Sequence, residues 1–478
     1  MLTPLEIIGA IPYTLEHAVL PTLGLKREGK VRDIYSIAGQ RVLITTDRVS
    51  AFDRVVGAIP FKGQVLNQLS EWWFAQTADL VKNHVIAVPD PNVMIAHEAE
   101  ALPVEVIVRG YITGVTSTAL WTLYAAGERT PYGIPLPDGL QKNDPLPTPI
   151  ITPTTKATGG AHDERLTRED IIERGLVPQA LWEQVEQVAL ALFARGQEVA
   201  RRAGLILVDT KYEFGLINGQ LALIDEIHTP DSSRYWTLES YGAGRDPQNF
   251  DKEILREWFV AQGYRGEGAI PAMPPQFVAK VAERYIGAYE RLTGETFIPG
   301  EQPALSRIAR ALEAYTHAQS QPLVVLLLGS RADLDHAHKI TKVLDELGVP
   351  TVIRIGSAHK TPDHVQQLLR HYEADGRQKV YITIAGRSNA LSGFTDAQVV
   401  APVIACPPPS EAFGGADIYS SLRMPSGVAP AVVLEPSGAA LLAAKILGVS
   451  NPAIREAVAH SQAKARDRIV SDDQELNG

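Results

Sequence analysis

The chain is nearly devoid of cysteine. Cys406 stands alone among 478 residues. A single thiol excludes a disulfide framework and a cysteine-built metal site, and it reads as a small buried hydrophobe. Long apolar runs are also missing. No uninterrupted stretch reaches the ~20 residues that cross a bilayer, so no membrane role is expected. The N-terminus has no basic region followed by an apolar one, and a reducing, cytoplasmic setting is the expectation. Positive charge is in deficit, with 45 Lys and Arg against 55 Asp and Glu, a formal net charge of -10. That balance argues against a nucleic-acid partner but leaves room for anionic small molecules held by local basic clusters. No GxGxxG is present, which disfavours a dinucleotide. Neither an organic redox cofactor nor biotin is expected.

What is present centres on one stretch. VDTKYEFG (208–215) and LALIDEIHTPDSSRYW (221–236) flank Asn218-Gly219, a strong hairpin signal because both residues tolerate positive φ. The charges are unusual for a structural hairpin. A two-residue turn sets Glu213 opposite Ile224 and sends Asp225 to the other face. An odd-length loop sets Lys211 opposite Asp225 and puts Glu213 on the same face. The second register converges two carboxylates and an ammonium, which suits Mg²⁺ carrying nucleotide phosphates. A solvated strand face with cross-strand ion pairs is the other reading.

The length predicts two or three domains. Residues 1–25 read as a lead-in. GKVRDIY (29–35) and 41–47 read as two strands around Ala38-Gly39, with Lys30 and Arg32 alternating behind a glycine. TDRVSAFD (46–53) follows at a strand end, and 64–78 reads as a helix whose Trp72, Trp73 and Phe74 are core. VRGYITG (108–114) ends a buried strand, so Arg109 must find an anion or reach water. The Pro-rich segment 131–155 reads as loop. A capping box at 167–170 opens helices that run to Ala203, and further helices span 251–292. The boundaries expected are 1–298, a linker helix within 299–321, and 322–478.

The second domain changes character. A wholly apolar strand at 323–328, followed by strands at 352–355, 380–384 and 403–405, alternates with helices, the signature of a doubly wound parallel sheet. Ligands sit at the carboxyl ends of such strands. Those ends carry Ser330, Asp333, Ser357, His359, Lys360, Gly386, Arg387 and Ser388, and small residues at helix N-termini suit a phosphate.

Together GKVRDIY, TDRVSAFD, VRGYITG, TPTTKA, VDTKYEFG and DEIHTPDSSRYW resemble the SAICAR synthetase (phosphoribosylaminoimidazole-succinocarboxamide synthetase) family over about 10–298. LGSRADLDHA, GSAHKTPDH, TIAGRSNALSGFTD, ACPPPSEAF and DIYSSLRMPSG resemble the AIR (aminoimidazole ribonucleotide) carboxylase family over about 322–450. The order resembles the bifunctional purine enzyme of animals. The resemblance implies a two-lobed ATP-binding fold of ATP-grasp or kinase-like kind, then a flavodoxin-like domain. It implies ATP with Mg²⁺ on Glu213 and Asp225, and Lys30 and Arg32 on the phosphates. Arg109, Asp209, Lys211 and Arg234 then clasp the carboxylated ribonucleotide (CAIR), with Ser50 and Asp53 nearby, and L-aspartate is the second substrate.

In the second domain the resemblance makes His359 the proton carrier for AIR and gives Lys360 its charge offset. Ser330, Asp333 and Ser357 take phosphate and ribose, and Gly386, Arg387 and Ser388 line the CO₂ or base pocket. SAHKTP and AGRSNALSG fit the class that uses CO₂ directly. The mutase class has SAHRTP and GGAAHLPG. An octamer built through the second domain is implied. The rivals are a mutase and a silent assembly module. A general kinase reading leaves VRGYITG and TPDSSRYW unexplained. One departure stands out: relatives carry Ser after the VRGYITG glycine, and here it is Val115. Thr116 or Ser117 substitutes, or the substrate phosphate loses a hydrogen bond worth about 1–3 kcal/mol.

Overall fold

The computed structural model describes the chain except residues 1, 38, 53, 115–117, 157–163, 243–246, 251, 387, 410–413 and 478. Two compact units are formed, Met1–Glu313 and Ala314–Gly478. The division falls inside the helix Ala304–Ser320. Arg307, in its first turn, bonds Asp90 at 2.6 Å and Asn92 at 2.8 Å, so that end belongs to the first unit.

The lead-in is more structured than its sequence implies. Thr3 and Glu6 form a capping box on the helix Pro4–Ala10, and Ile7 is buried. The strands of the first unit are β1 (Arg27–Glu28), β2 (Arg32–Ile37), β3 (Gln40–Thr45), β4 (Arg48–Ala51), β5 (Arg54–Ala58), β6 (Lys82–Asn83), β7 (Val85–Asp90), β8 (Val93–His97), β9 (Glu100–Tyr111), β10 (Pro145–Ile151), β11 (Thr154–Thr155), β12 (Leu205–Ile217), β13 (Gln220–Ile224) and β14 (Ser233–Thr237). One sheet runs β1-β2-β3-β8-β7. A second runs β10-β9-β12-β13-β6, with β11 also on β9 and β14 on β12, and β4 and β5 pair as a separate two-stranded sheet. Two strands thus lie in the segment read as loop. Pro145, Pro147 and Pro149 disguised β10. It is an edge strand, where alternate residues need no donor toward a neighbour.

β12 organises this unit. β9 covers one side along most of its length, while β14 pairs its first half and β13 its second. A bulge opposite β14 pairs Leu207 with Tyr235 and then Asp209 with Arg234, leaving Val208 over. Before the bulge, odd-numbered Leu205 and Leu207 enter the core. After it, even-numbered Tyr212 and Phe214 do. The extra residue therefore frees Asp209, Lys211 and Glu213 to share the opposite, polar face. Beneath lies the helix Gln179–Arg202, with Trp182, Val185, Ala189, Leu192, Phe193, Gly196 and Ala200 along one stripe.

The second unit holds β15 (Leu323–Leu328), β16 (Thr351–Ile355), β17 (Lys379–Ile384), β18 (Val403–Ala405) and β19 (Ala431–Val432). The order is β16-β15-β17-β18-β19, parallel throughout, which is the flavodoxin-like arrangement. Val324, Leu326 and Leu328 pack on one face with the helices Leu334–Glu346 and Pro436–Leu447. Leu323, Val325 and Leu327 pack on the other with Pro362–Ala374. Burial on both faces is why the run is apolar without alternation. Cys406 is fully buried at the end of β18, and burial pushes its thiol up to about 12.

Candidate active site

A cavity of about 540 Å³ in the first unit gathers Lys30, Arg32, Ser50, Lys211, Glu213 and Asp225. The hairpin reaches this result by the route not expected. Its turn is the two-residue one, with Glu213 opposite Ile224 and Ile217 opposite Gln220, so the odd register is overturned. Asn218 and Gly219 take φ of 52° and 75°, the pair of left-handed residues a tight hairpin requires. Asp225 converges on Glu213 for another reason. It lies one residue beyond β13 and has φ of 70°, so the chain turns there and strand alternation no longer decides its direction.

The segment from Asp225 to Ser232 fills the gap along β12 between β13 and β14. The Lys211 backbone N–H donates to the Ser232 carbonyl at 2.9 Å. Glu226, Asp231 and Ser232 thereby join the cavity wall. The segment is held from behind by buried groups. His228, also at positive φ, meets the Tyr212 hydroxyl at 2.5 Å through Nε2, and its carbonyl accepts from Tyr235 at 2.8 Å. Lys62 donates to Asp231 Oδ2 at 2.7 Å and Tyr285 to its Oδ1 at 2.5 Å.

The charges are closely matched. Lys211 Nζ donates to Glu213 at 2.6 Å and Glu105 at 2.9 Å. Lys156 pairs with the other Glu213 oxygen, and Arg32 pairs with Asp225 and reaches Glu226 at 3.5 Å. Burial works against the charge on Asp225, but Arg32, Lys211 and Lys156 outweigh it and hold its carboxyl below the usual range. Burial pushes Glu226 up, with Asp225 and Asp231 adding to it against Arg32. Lys211 stays well above its ordinary value, because Glu213, Asp225 and Glu105 override burial. Glu213 and Asp225 offer the hard oxygen donors that a divalent cation such as Mg²⁺ takes, with phosphate-seeking cations around them.

Arg109, Asp209 and Arg234 form a second group on the same strand face. Asp209 Oδ2 accepts from Arg109 at 3.2 Å and from Arg234 at 2.9 Å, and Arg109 Nε donates to Thr152 at 2.9 Å. Asp209 precedes Glu213 by four residues on β12, a separation of ~13 Å. Arg234 opens onto a smaller cavity of about 240 Å³ shared with Gly114, Lys142, Asn143 and Trp236. Asp53, Val115, Thr116 and Ser117 lie outside the described residues.

Sequence reasoning left several wall residues without a role. Lys156 stood inside a quoted motif, TPTTKA. Lys252 and Arg256 carried the one usable signal, cations four apart on a helix. Glu105 is placed only by its pairing with Glu213 across β9 and β12.

In the second unit the parallel register sets Leu328 beside Ile355 and Ile384. The loops that follow therefore collect at one edge of the sheet. Ser330 donates to Asp333 Oδ2 at 3.0 Å, and Ser357 Oγ accepts from the Lys360 N–H at 3.2 Å. His359 and Lys360 are exposed. The Gly386 carbonyl accepts from Ser388 at 2.8 Å. Asn389 is buried and donates to Ser421 Oγ at 2.9 Å, tying this loop to the polar 417–427 run. Arg387 lies outside the described residues.

The SAICAR synthetase family model matches residues 25–271 and the AIR carboxylase family model residues 323–468. A phosphoribosylaminoimidazole-succinocarboxamide synthase of Legionella pneumophila is 51% identical over 300 residues, 61% of this chain and 95% of its own. The chloroplastic synthase of Arabidopsis thaliana is 48% identical over 322 residues, 64% of this chain and 78% of its own. The structure of SAICAR synthase from Saccharomyces cerevisiae complexed with SAICAR matches with a TM-score of 0.54 at 34% identity, covering 60% of this chain and 100% of that one.

Proposed function

This chain belongs to the SAICAR synthetase family and carries an AIR carboxylase domain behind it, and from that premise we propose that its two units run consecutive steps of purine biosynthesis. The second unit carboxylates 5-aminoimidazole ribonucleotide with CO₂. The first joins the product, CAIR, to L-aspartate with ATP, yielding SAICAR, ADP and phosphate.

One observation carries the ligase reading: Glu213 and Asp225 meet Lys30, Arg32, Lys156 and Lys211 in a single cavity. Forming an acyl phosphate from two anions requires neutralisation and alignment more than proton transfer. Lys30 and Arg32 steady the ATP phosphates. Glu213 and Asp225 hold Mg²⁺, which when bound offsets phosphate charge. Lys211, between Glu105 and Glu213, orients the carboxylate that is phosphorylated. Arg109 and Arg234 clasp the ribonucleotide phosphate, with Asp209 keeping both guanidiniums in place, and Ser50 borders the nucleotide. The aspartate amine then attacks the acyl carbon and phosphate leaves.

For the carboxylase, an exposed imidazole is suited to take and return the C4 proton of AIR. His359 has that role, with Lys360 offsetting carboxylate charge. Ser330, Asp333 and Ser357 hold phosphate and ribose, and Gly386, Arg387 and Ser388 line the CO₂ pocket. Direct use of CO₂ rests on SAHKTP and AGRSNALSG. The unit works as a homo-oligomer, an octamer, in the cytoplasm. Exposed Val400, Tyr419, Leu422 and Leu434 supply apolar surface for contacts between copies.

The test is mass analysis of products from AIR and bicarbonate, with and without Mg-ATP and aspartate. CAIR without ATP, and SAICAR once both are added, is the expected result. Product from N5-carboxylated AIR only would replace the carboxylase with a mutase. Activity confined to supplied CAIR would leave the second unit silent.

A further inference from the structure

Behind the phosphate end of the larger cavity sits a buried cation, Arg48, from the TDRVSAFD stretch. Gly29, Lys30, Val31 and Arg32 line the cavity. They form the turn between β1 and β2, closed by the Gly29 N–H donating to the Arg32 carbonyl at 2.8 Å. Three successive carbonyls of that turn are held from behind. Arg48 Nη2 donates to the Gly29 carbonyl at 2.9 Å, and its Nε donates to the Lys30 carbonyl at 3.2 Å. The Val31 carbonyl accepts from the Thr46 N–H at 2.9 Å and from the Thr46 hydroxyl at 2.8 Å.

Arg48 is 3% exposed, and its five N–H donors meet five acceptors. Besides the two turn carbonyls, these are the Glu16 carbonyl, His17 Nδ1 at 3.3 Å and Asp33 Oδ1 at 2.9 Å. Asp33 is itself wholly buried, and its other oxygen accepts from the Ala18 N–H at 2.6 Å. A buried ion pair stabilises little more than an apolar pair of the same volume, so stability alone does not account for this one. Lysine carries its donors on a single nitrogen and does not reproduce the fork.

The C=O and N–H of a trans peptide point in opposite directions. Carbonyls 29 and 30 turned toward Arg48 therefore aim the N–H groups of Lys30 and Val31 to the cavity side, and they fix where the Lys30 side chain leaves the backbone. Successive N–H groups beside an ammonium suit an anion. We propose that Arg48 is a positioning residue for the ATP phosphates, acting through the Gly29–Val31 turn and setting it before nucleotide arrives. The proposal rests on the reading of Lys30 as a phosphate ligand of the ligase.

The experiment is a double-mutant cycle in the full chain, read by the KM for ATP in ligation and by inhibition with ADP and with adenosine. Arg48→Lys is expected to weaken ATP and ADP by roughly 10–100-fold, with adenosine, which lacks phosphates, changed less than about twofold. Lys30→Met should act in the same way. The double substitution should fall at least about threefold short of the product of the two effects, because both pass through one turn. Effects that multiply fully overturn the positioning role, as does an equal loss for adenosine. A readout without mutation guards against a misfolded variant. In the nucleotide-free wild-type chain, trypsin should leave the Lys30–Val31 bond intact, with ADP adding little protection. Rapid cleavage there that ADP stops would show a turn set by nucleotide and overturn the proposal. An unchanged ATP KM in Lys30→Met would instead sink the phosphate reading of Lys30, and the proposal with it.

Discussion

At the scale of the residue, the site is set by partners that each carboxylate and cation finds. Asp225 keeps its charge in a half-buried place because Arg32, Lys211 and Lys156 surround it. Asp225→Asn removes the oxygen donor proposed for Mg²⁺ and leaves Arg32 short of its main partner. Ligation is expected to fall on the order of 10²–10³-fold, with carboxylation of AIR untouched, as read by ADP release across a magnesium titration. Retention of full ligation at every magnesium concentration would remove Asp225 from the phosphate site.

His228 gives a pH test with a definite sign. Burial pushes its imidazole down to about 3, so it stays neutral in the folded chain while the unfolded chain takes up a proton near its ordinary value of about 6.5. Stability from this residue is complete above that value and is lost as pH falls toward 3. His228→Gln should flatten the acid limb of stability by up to about 1.4 kcal/mol per pH unit, measured by urea unfolding between pH 4 and 6. An unaltered slope would mean that His228 does not titrate on unfolding.

At the scale of the element, β12 and the helix beneath it decide which side chains meet the cavity. The bulge at Val208 turns the polar residues 209, 211 and 213 to one face. Gly196 then lets the helix approach closely. A Cβ there would lie 2.5 Å from His228 Cε1 and 2.6 Å from Leu207 Cδ2. Gly196→Ala is therefore expected to destabilise the first unit by about 1–3 kcal/mol, despite alanine's better helix propensity. A shift of the urea midpoint to lower concentration checks it. A gain in stability would show that the loop carrying His228 yields without strain.

At the scale of the whole molecule, the two groups of functional residues belong to separate units, each with its own core. Their activities should therefore part cleanly under single substitutions in the full chain. His359→Asn is expected to abolish carboxylation of AIR while ligation of supplied CAIR stays within about twofold. Lys211→Met should do the reverse, with ligation down at least about 100-fold. Product analysis on both variants, fed AIR or CAIR, decides this. Loss of both activities in either variant would tie the units into one catalytic system.

The sequence by itself determined the chemistry on offer and much of the architecture. Apolar runs without alternation required a parallel sheet covered on both faces, since only a strand buried twice needs no polar side. Asn218-Gly219 required a tight turn, and the charges around it offered either a shared metal and phosphate site or a solvated strand face. The tertiary structure decided how those charges meet. Alternation along the hairpin sends Asp225 away from Glu213, and no local pattern announces the left-handed backbone that brings it back. The bulge at Val208 depends on pairing with β14, a strand that returns more than twenty residues later. Lys156, Lys252 and Arg256 reach the cavity from segments distant in sequence, and β10 hid behind prolines that only an edge position tolerates. Local preference is written residue by residue, but convergence on a ligand is a property of long-range pairing, which the separate segments do not record.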